Sequence, residues 1–463
     1  MKDCYSALRY GAVALMIAGV AGCMNVPSAP PSDIDQAAES VIQRYDVPGL
    51  ALAQIEDGRV QWIGTYGQAD SDRPVDRGTV FNVASLTKPL FAVGYLHSVA
   101  DGQADLDEPL AEHWIDPDVA EDPRLSELTA RLALSHQSGF PNWRGSDGLY
   151  FMFEPGERHE YSGEGFEYVR RAWQQQTNES MPIMMQQQVL EPAGMEHTVF
   201  GWQPALTGKV AAGYDEAGNN LHLDFSDRQP NAAANTFTTI EDYARFAAWV
   251  SGGADLDPAL YQQMMQQQSA HPEPLEFWGL GWRLTQLNDR TLIEHDGREP
   301  GIRTLVMIDP LSQRALVMLT NSSNGELIVR ALVQATWPDA DTVLAQRDAD
   351  TWHYLSALPE PALPGMFGFI AQSPSFSMKL LYAAKAGLIN GSGLSASELR
   401  RADAALEALV HQQFSGEISA DQMRALFLQL GEPTDQGFRF ATALNAEQSR
   451  QWLAAVAEAA ELR

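Results

Sequence analysis

The sequence predicts an α+β fold: an antiparallel sheet flanked by helices, interrupted by a mostly helical insertion and followed by a helical C-terminal extension. Three observations carry this reading. Strand-like runs fall into two distant groups, 50–56 and 60–66 near the N-terminus, then 278–284, 291–294, 302–308 and 315–319. Neither group alone is large enough to cover a helical layer on both faces, so the two are expected to share one sheet. Between about 101 and 235 the chain is rich in Pro, Gly, Asp and Gln, with short helical patterns and few strand runs. Beyond Trp337, helical stripes dominate to the end.

The elements follow from local signals. Ser32 is expected to cap a helix in which Ile34, Ala37, Ala38, Val41, Ile42 and Tyr45 keep helical spacing, with Pro48-Gly49 as its stop. Asp57-Gly58 joins the first two strands as a hairpin. From Leu86 to Val99, apolar residues cover nearly the whole circumference of a helix, the pattern of a buried one. Thr239 precedes a helix through Val250, and Asn288-Asp289 and Asp309-Pro310 mark turns between the later strands. In the extension, Ser395 with Glu398, Ser419 with Gln422 and Asn445 with Gln448 read as capping boxes. The stripe Leu399, Ala402, Leu406 and Leu409 points to a small helical bundle, packed on the rest or acting as a partner surface or lid.

Composition bounds the function. The chain has 463 residues, 45% of them hydrophobic, and 31 basic against 60 acidic residues give a net charge of −29. That balance argues against nucleic acid or an anionic membrane surface as partner of the folded part. Lys2 and Arg9 precede an apolar run, 11–22, too short to span a bilayer. Val20-Ala21-Gly22-Cys23 then resembles a bacterial lipobox, which makes residues 1–22 a signal peptide, Cys23 the lipidated first mature residue and 23–31 a Pro-rich linker. Met24 in place of aspartate directs the expectation to the outer membrane, facing the periplasm. Cys4 and Cys23 are the two cysteines, so a cleaved chain has neither an internal disulfide nor a thiolate metal site. No metal cluster, phosphate loop or internal repeat is visible, and no cofactor is expected.

Chemistry concentrates at Ser85-Leu86-Thr87-Lys88, at the start of the buried helix. A serine hydroxyl is a weak nucleophile until a base takes its proton, and a lysine can serve only if burial or a nearby cation lowers its pKa. On a helix, Lys88 shares a face with Ser85, and Ser85 stands where unpaired N–H groups and the helix dipole favour an oxyanion. Pro89 is tolerated because it lies in the first turn. Taken alone, Lys88 is equally readable as a solvated helix charge.

Further stretches give the pair a context. Phe81-Asn82-Val83-Ala84-Ser85-Leu86-Thr87-Lys88, the loop 132–141 (Leu-Ala-Leu-Ser-His-Gln-Ser-Gly-Phe-Pro), Glu154-Pro155-Gly156-Glu157 leading to Tyr161-Ser162-Gly163, and Gly279-Leu280-Gly281-Trp282 followed by His295-Asp296-Gly297 occur in this order. Together they resemble the serine β-lactamase and penicillin-binding-protein-like superfamily, closest to the class C-related branch of β-lactamases, esterases and D-aminopeptidases. The resemblance covers 32–337 and leaves 338–463 as an extension. It implies Ser85 as nucleophile, Lys88 and Tyr161 as the acid/base pair, and an oxyanion hole from the backbone N–H groups of Ser85 and Arg298. His295 is implied in substrate binding or proton balance, and Gly297 in letting substrate backbone approach. Outside that context, Tyr161 reads as a packed aromatic and His295 as a structural hydrogen-bonder. Glu157, Glu160 and Glu164 read as surface charge. Gly163 departs from the family, which has an amide-holding asparagine there. The expectation is therefore a serine acyl hydrolase acting on a small-molecule or peptide acyl substrate, esterase-like in preference to a β-lactamase, D-alanyl-D-alanine carboxypeptidase or D-aminopeptidase. The competing class is a non-catalytic peptidoglycan- or protein-binding module.

Overall fold

A computed structural model describes residues 28–269 and 277–461. The expected signal peptide and Cys23 lie outside the described residues. The expected linker does not end freely: Ser28 pairs with the sheet edge, donating its N–H to Gln61 and accepting from Ile63.

The first helix, α1 (Ser32–Arg44), begins one residue earlier than its expected cap. Pro31 is the N-cap and Ser32 is already helical, so its hydroxyl caps nothing. The strands β1 (Gly49–Glu56) and β2 (Arg59–Gly67) form the expected hairpin. Asp57 and Gly58 both take positive φ, 49° and 68°, as a two-residue turn between twisted strands requires. After β3 (Phe81–Asn82), a 3₁₀ turn over Ala84–Leu86 leads into α2 (Thr87–Ala100). The insertion is helical, as expected, with α3 (Ala130–Leu134), α4 (Gly163–Thr177), α5 (Met181–Met185) and α6 (Glu191–Ala193). Two short strands, β4 (Val199–Phe200) and β5 (Thr236–Thr238), join β3 in a minor three-stranded sheet. Thr239 then caps α7 (Ile240–Ser251) by accepting the Asp242 N–H, and α8 (Pro258–Met264) follows.

The later strands are β6 (Arg283–Gln286), β7 (Thr291–Glu299), β8 (Ile302–Asp309) and β9 (Arg314–Thr320). They complete one antiparallel sheet in the order β2-β1-β9-β8-β7-β6, so both sequence groups do share it. Two boundaries differ from expectation. The strand expected at 278–284 starts only at Arg283, because Gly279 and Gly281 carry a loop; Gly281 has φ +80°, and a Cβ there would meet Ala92 at 2.4 Å. β7 runs to Glu299 instead of 294, since its charged second half lacks the apolar alternation that marks a strand.

Alternation along the sheet splits the core in two. Ala51, Ala53, Ile55, Val306, Val317 and Leu319 face α2, α7 and the insertion. Leu50, Leu52, Leu305, Met307, Leu316 and Met318 face α1, α9 (Gly325–Thr336) and the extension. The extension comprises α10 (Ala340–Ser356), α11 (Leu363–Ile370), α12 (Pro374–Ala384), α13 (Ala396–Phe414), α14 (Ala420–Phe427), the hairpin β10 (Gly431–Thr434) with β11 (Gly437–Phe440), and α15 (Ala446–Glu461). All three capping boxes form. The hairpin was not expected; its Phe438 and Phe440 pack on Phe367 at 5.0 and 5.7 Å. The extension is thus no separate bundle, because its apolar stripes continue the outer core of the sheet.

Candidate active site

From Thr79 to Leu96 every residue is buried except Ser85, which stays partly accessible. The turn that carries it is held under backbone strain. Ala84 takes φ +49°, a left-handed conformation that disfavours a Cβ, and it is fixed from both ends. Its N–H donates to Asn82 Oδ1 at 2.8 Å, and its carbonyl accepts from Thr87 Oγ1 at 2.8 Å. The Leu86 N–H is spent on the Val83 carbonyl. The result is a rigid turn that lifts one hydroxyl out of an otherwise buried segment.

Lys88 lies in the first turn of α2 and is fully buried. Its Nζ sits 3.2 Å from Ser85 Oγ and donates to the Ala233 carbonyl at 3.0 Å. The rings of Tyr161 and Phe166 flank it, with centroids at 4.6 and 5.7 Å. Burial lowers its pKa to about 7, only partly opposed by the charges of Asp296, Glu299 and Glu167. Near neutrality a large share of the amine is therefore unprotonated. A neutral amine donating to Ala233 retains a lone pair for the Ser85 proton. The solvated-charge reading of Lys88 is excluded by its burial.

The Ala233 contact was invisible in the sequence, because a backbone carbonyl makes it. The loop 231–235 is placed by Asn231, whose Oδ1 accepts the Ala233 and Ala234 N–H groups at 2.7 and 3.0 Å. Glu167 of α4 accepts the Ala232 N–H at 2.7 Å and pairs with Arg170. Nor is Glu164 the surface charge expected: it is 4% exposed and pairs with Arg144, which also holds Asp116 and Asp118. Glu157 and Glu160 are exposed, as expected.

Tyr161 precedes α4 and is partly buried in an aromatic cage. Its ring lies 4.3 Å from His136, 5.8 Å from Trp278 and 6.2 Å from His295. His136 is fully buried in the left-handed region, φ +59°, and its Nδ1 accepts the Ser162 N–H at 3.1 Å. Burial first, then the neighbouring His159 and Lys88, keeps its pKa well below the usual histidine value, so it packs against Tyr161 as a neutral ring.

The third motif lies within β7, not at a strand end. β6 pairs only with Thr291–Glu294, which leaves β7 from His295 onward as a free edge. Pro300 and Gly301, the latter at φ +72°, supply what a type II turn needs between Glu299 and Ile302. Glu299 and Ile302 then close the hairpin as a hydrogen-bonded pair. Alternation along the ladder puts the Arg298 N–H on the free edge. His295 is buried; its Nδ1 is engaged by the Asp296 carbonyl at 2.7 Å, while its Nε2 has no hydrogen-bond partner among the described residues. Burial, then Lys88, lowers its pKa to about 4, so it is neutral at pH 7.

Gly297 makes a close approach of its own within the fold. A Cβ there would meet Thr304 Oγ1 at 2.1 Å and the Val83 carbonyl at 2.4 Å, and Thr304 Oγ1 itself donates to Val83 at 3.0 Å. The missing side chain makes room for the turn that carries Ser85. Gly297→Ala is therefore expected to destabilise the fold by about 1–3 kcal/mol through overpacking. Gly365→Ala, where a Cβ meets nothing within 4 Å, is expected not to. Urea denaturation midpoints of the two variants check this, and an unshifted Gly297→Ala would refute the close approach.

Known proteins place this architecture. The sequence model of the Beta-lactamase family matches residues 34–335. "Protein flp" of Staphylococcus aureus is 23% identical over 312 residues, 62% of each chain, so the match spans less than two thirds of that relative. A Pseudomonas fluorescens beta-lactamase is 26% identical over 273 residues, covering 54% of this chain and 73% of its own. Among solved structures, the octameric penicillin-binding protein homologue from Pyrococcus abyssi superimposes with a TM-score of 0.56 at 19% identity, over 69% of this chain and 82% of that one. The D-amino acid amidase from Ochrobactrum anthropi SV3 does so with 0.55 at 24% identity, over 65% and 97%. Those two likenesses speak for the fold, whose antiparallel sheet with flanking helices they share. With the family model covering most of the sheet, the whole insertion and the motifs of the site, the chain belongs to the beta-lactamase family.

Proposed function

We propose that the protein is a serine acyl hydrolase that works through a Ser85 acyl-enzyme and prefers esters to amides and lactams. The observation that carries this is the Lys88 amine, sealed from water 3.2 Å from the accessible Ser85 hydroxyl. Lys88 takes the Ser85 proton as Oγ attacks the acyl carbon. Tyr161, ring against the amine, relays that proton to the leaving group. The N–H groups of Ser85 and Arg298 receive the developing oxyanion, each worth about 3 kcal/mol in the transition state. Water then repeats the sequence on the acyl-enzyme. His295, neutral and buried beside Tyr161, helps bind substrate.

The ester preference rests on Gly163. Its N–H donates to Asn142, at the carbonyl and at Oδ1, both 3.0 Å. A Cβ on Gly163 would meet the Trp143 ring at 2.7 Å and the Asn142 carbonyl at 3.0 Å. Trp143 is held there by its neighbours: Asn142 caps α4, and Arg144 is locked to Asp116 and Glu164. The space in which a family asparagine would read an amide is thus occupied by an indole, which satisfies no amide dipole. Export and anchoring through Cys23 at the outer membrane, with the site in the periplasm, belong to the same proposal and rest on the N-terminal sequence.

Intact-mass labelling tests the mechanism. The chain is expected to gain a fluorophosphonate adduct that Ser85→Ala abolishes, with little or no penicillin adduct. A Ser85-dependent penicillin adduct would overturn the ester preference, and no adduct with either probe would leave a binding module. Because Lys88 must be neutral to act and its pKa is about 7, the acylation rate should fall about tenfold per unit below that pH and level off above about 8. Lys88→Arg should be inactive across the range, since a guanidinium does not deprotonate. Stopped-flow acylation with p-nitrophenyl butyrate reads both. Finally, Gly163→Asn alone should gain no lactam reactivity, whereas Gly163→Asn with Trp143→Ala should acylate faster with penicillin than the parent chain.

A further inference from the structure

β7 presents two faces with different partners. Its odd-numbered residues face the site: Ile293 joins the inner core, His295 stands by Tyr161, and Gly297 abuts the nucleophile turn. Its even-numbered residues meet α9 and the extension, the latter lying beyond the family match. Leu292 joins the outer core. Glu294, 1% exposed, pairs with Arg283 and with Arg347 of α10 at 2.7 and 3.1 Å. Arg298 pairs with Glu326 of α9, and Lys379 of α12 pairs with the same carboxylate. The Arg298 guanidinium also lies 5.0 Å from the ring centroid of Phe376 on α12. Asp296 is held ionised against its burial by Arg283, Lys379 and Arg298.

We infer that the extension is a working part of the site: α12, through Lys379 and Phe376, fixes the free end of β7, which makes Lys379 a positioning residue for the Arg298 backbone N–H. Position matters because, among the described residues, the Arg298 stretch has no strand partner on its open edge. The ladder to β8 holds it from one side only, so side-chain anchors on the back face decide where the N–H points. Two cations sharing Glu326, with an aromatic ring against both, form such an anchor. Lys379 is itself 39% exposed, so its replacement does not open the core.

This inference rests on the catalytic reading for its kinetic arm and on the fold alone for its second arm. Lys379→Met, Lys379→Arg and Phe376→Leu would be compared with the parent full-length chain. For p-nitrophenyl butyrate, Lys379→Met should lower kcat about tenfold with KM within about twofold, a misplaced donor costing less than a missing one. Lys379→Arg should restore kcat. Hydrogen exchange of the peptide spanning 291–299 should quicken in Lys379→Met and Phe376→Leu at an unchanged melting midpoint, and return to the parent rate in Lys379→Arg. Unchanged exchange in Lys379→Met, or equal impairment of Lys379→Arg and Lys379→Met, would overturn the positioning role. If the parent chain forms no Ser85 adduct, the catalytic reading falls and the exchange measurement alone decides the role of Lys379.

Discussion

Keeping one lysine amine out of water is the constraint around which this molecule is arranged. Moving the Lys88 pKa from 10.5 to about 7 corresponds to roughly 5 kcal/mol of disfavoured charge. That cost is comparable to the whole net stability of many domains. The fold sustains it by surrounding α2 on every side: by the inner sheet face, by α7, and by the insertion that supplies Tyr161, Phe166 and Trp173. An exposed α2 would leave Lys88 an ordinary ammonium and Ser85 an ordinary hydroxyl. In the proposed mechanism the buried helix is thus the source of the reactivity, not merely a support for it.

A helix buried all round cannot also form the wall of an open cleft, so the reacting hydroxyl has to be carried outward by the turn before it. This explains the strained Ala84, with its two fixed hydrogen bonds, immediately before Ser85. It also explains why β7 comes so close. Only a residue without a side chain lets the strand edge pass within reach of Val83, and Gly297 is that residue. In the proposed mechanism this strand supplies the Arg298 N–H to the oxyanion, while its other face receives the charges of Glu326 and Arg347.

The legible parts of this arrangement were those determined by short stretches of chain. Ser85 and Lys88 could be paired from spacing because one helical turn fixes their relation, and the capping boxes were legible for the same reason. Tyr161, His295 and Arg298 reached the candidate site only through the family resemblance, since nothing local ties them to Ser85. What stayed hidden is work done by backbone or by distant pairs. The Ala233 carbonyl carries no side-chain signature, and the alanines around it fell within the stretch read only as a mostly helical insertion. Glu164 looked like surface charge because its partners, Arg144 and Asp116, are brought to it by folding alone. Gly297 was recognised, but its contact with Val83 was not, because a glycine announces that something comes close without saying what.

The division between machinery and recognition follows from the same distinction. The proposed acyl-transfer apparatus consists of one helical turn, two backbone N–H groups and a buried carbonyl, which are expensive to alter because the core is built on them. On the proposed reading, recognition at Gly163 depends on Trp143, whose neighbour Arg144 pairs with the buried Asp116 and Glu164 and with the more exposed Asp118. Glycine at 163 with Trp143 against it offers no side-chain amide partner, while Lys88 is fully buried. On the proposed reading, an ester loses little in such a site, because its alkoxy oxygen has no N–H to satisfy. A substrate with an amide N–H would instead leave a polar group facing an indole, at about 1–3 kcal/mol for each unmet hydrogen bond. On that reading, substrate class can drift within this fold while Ser85, Lys88 and the two backbone N–H groups stay in place.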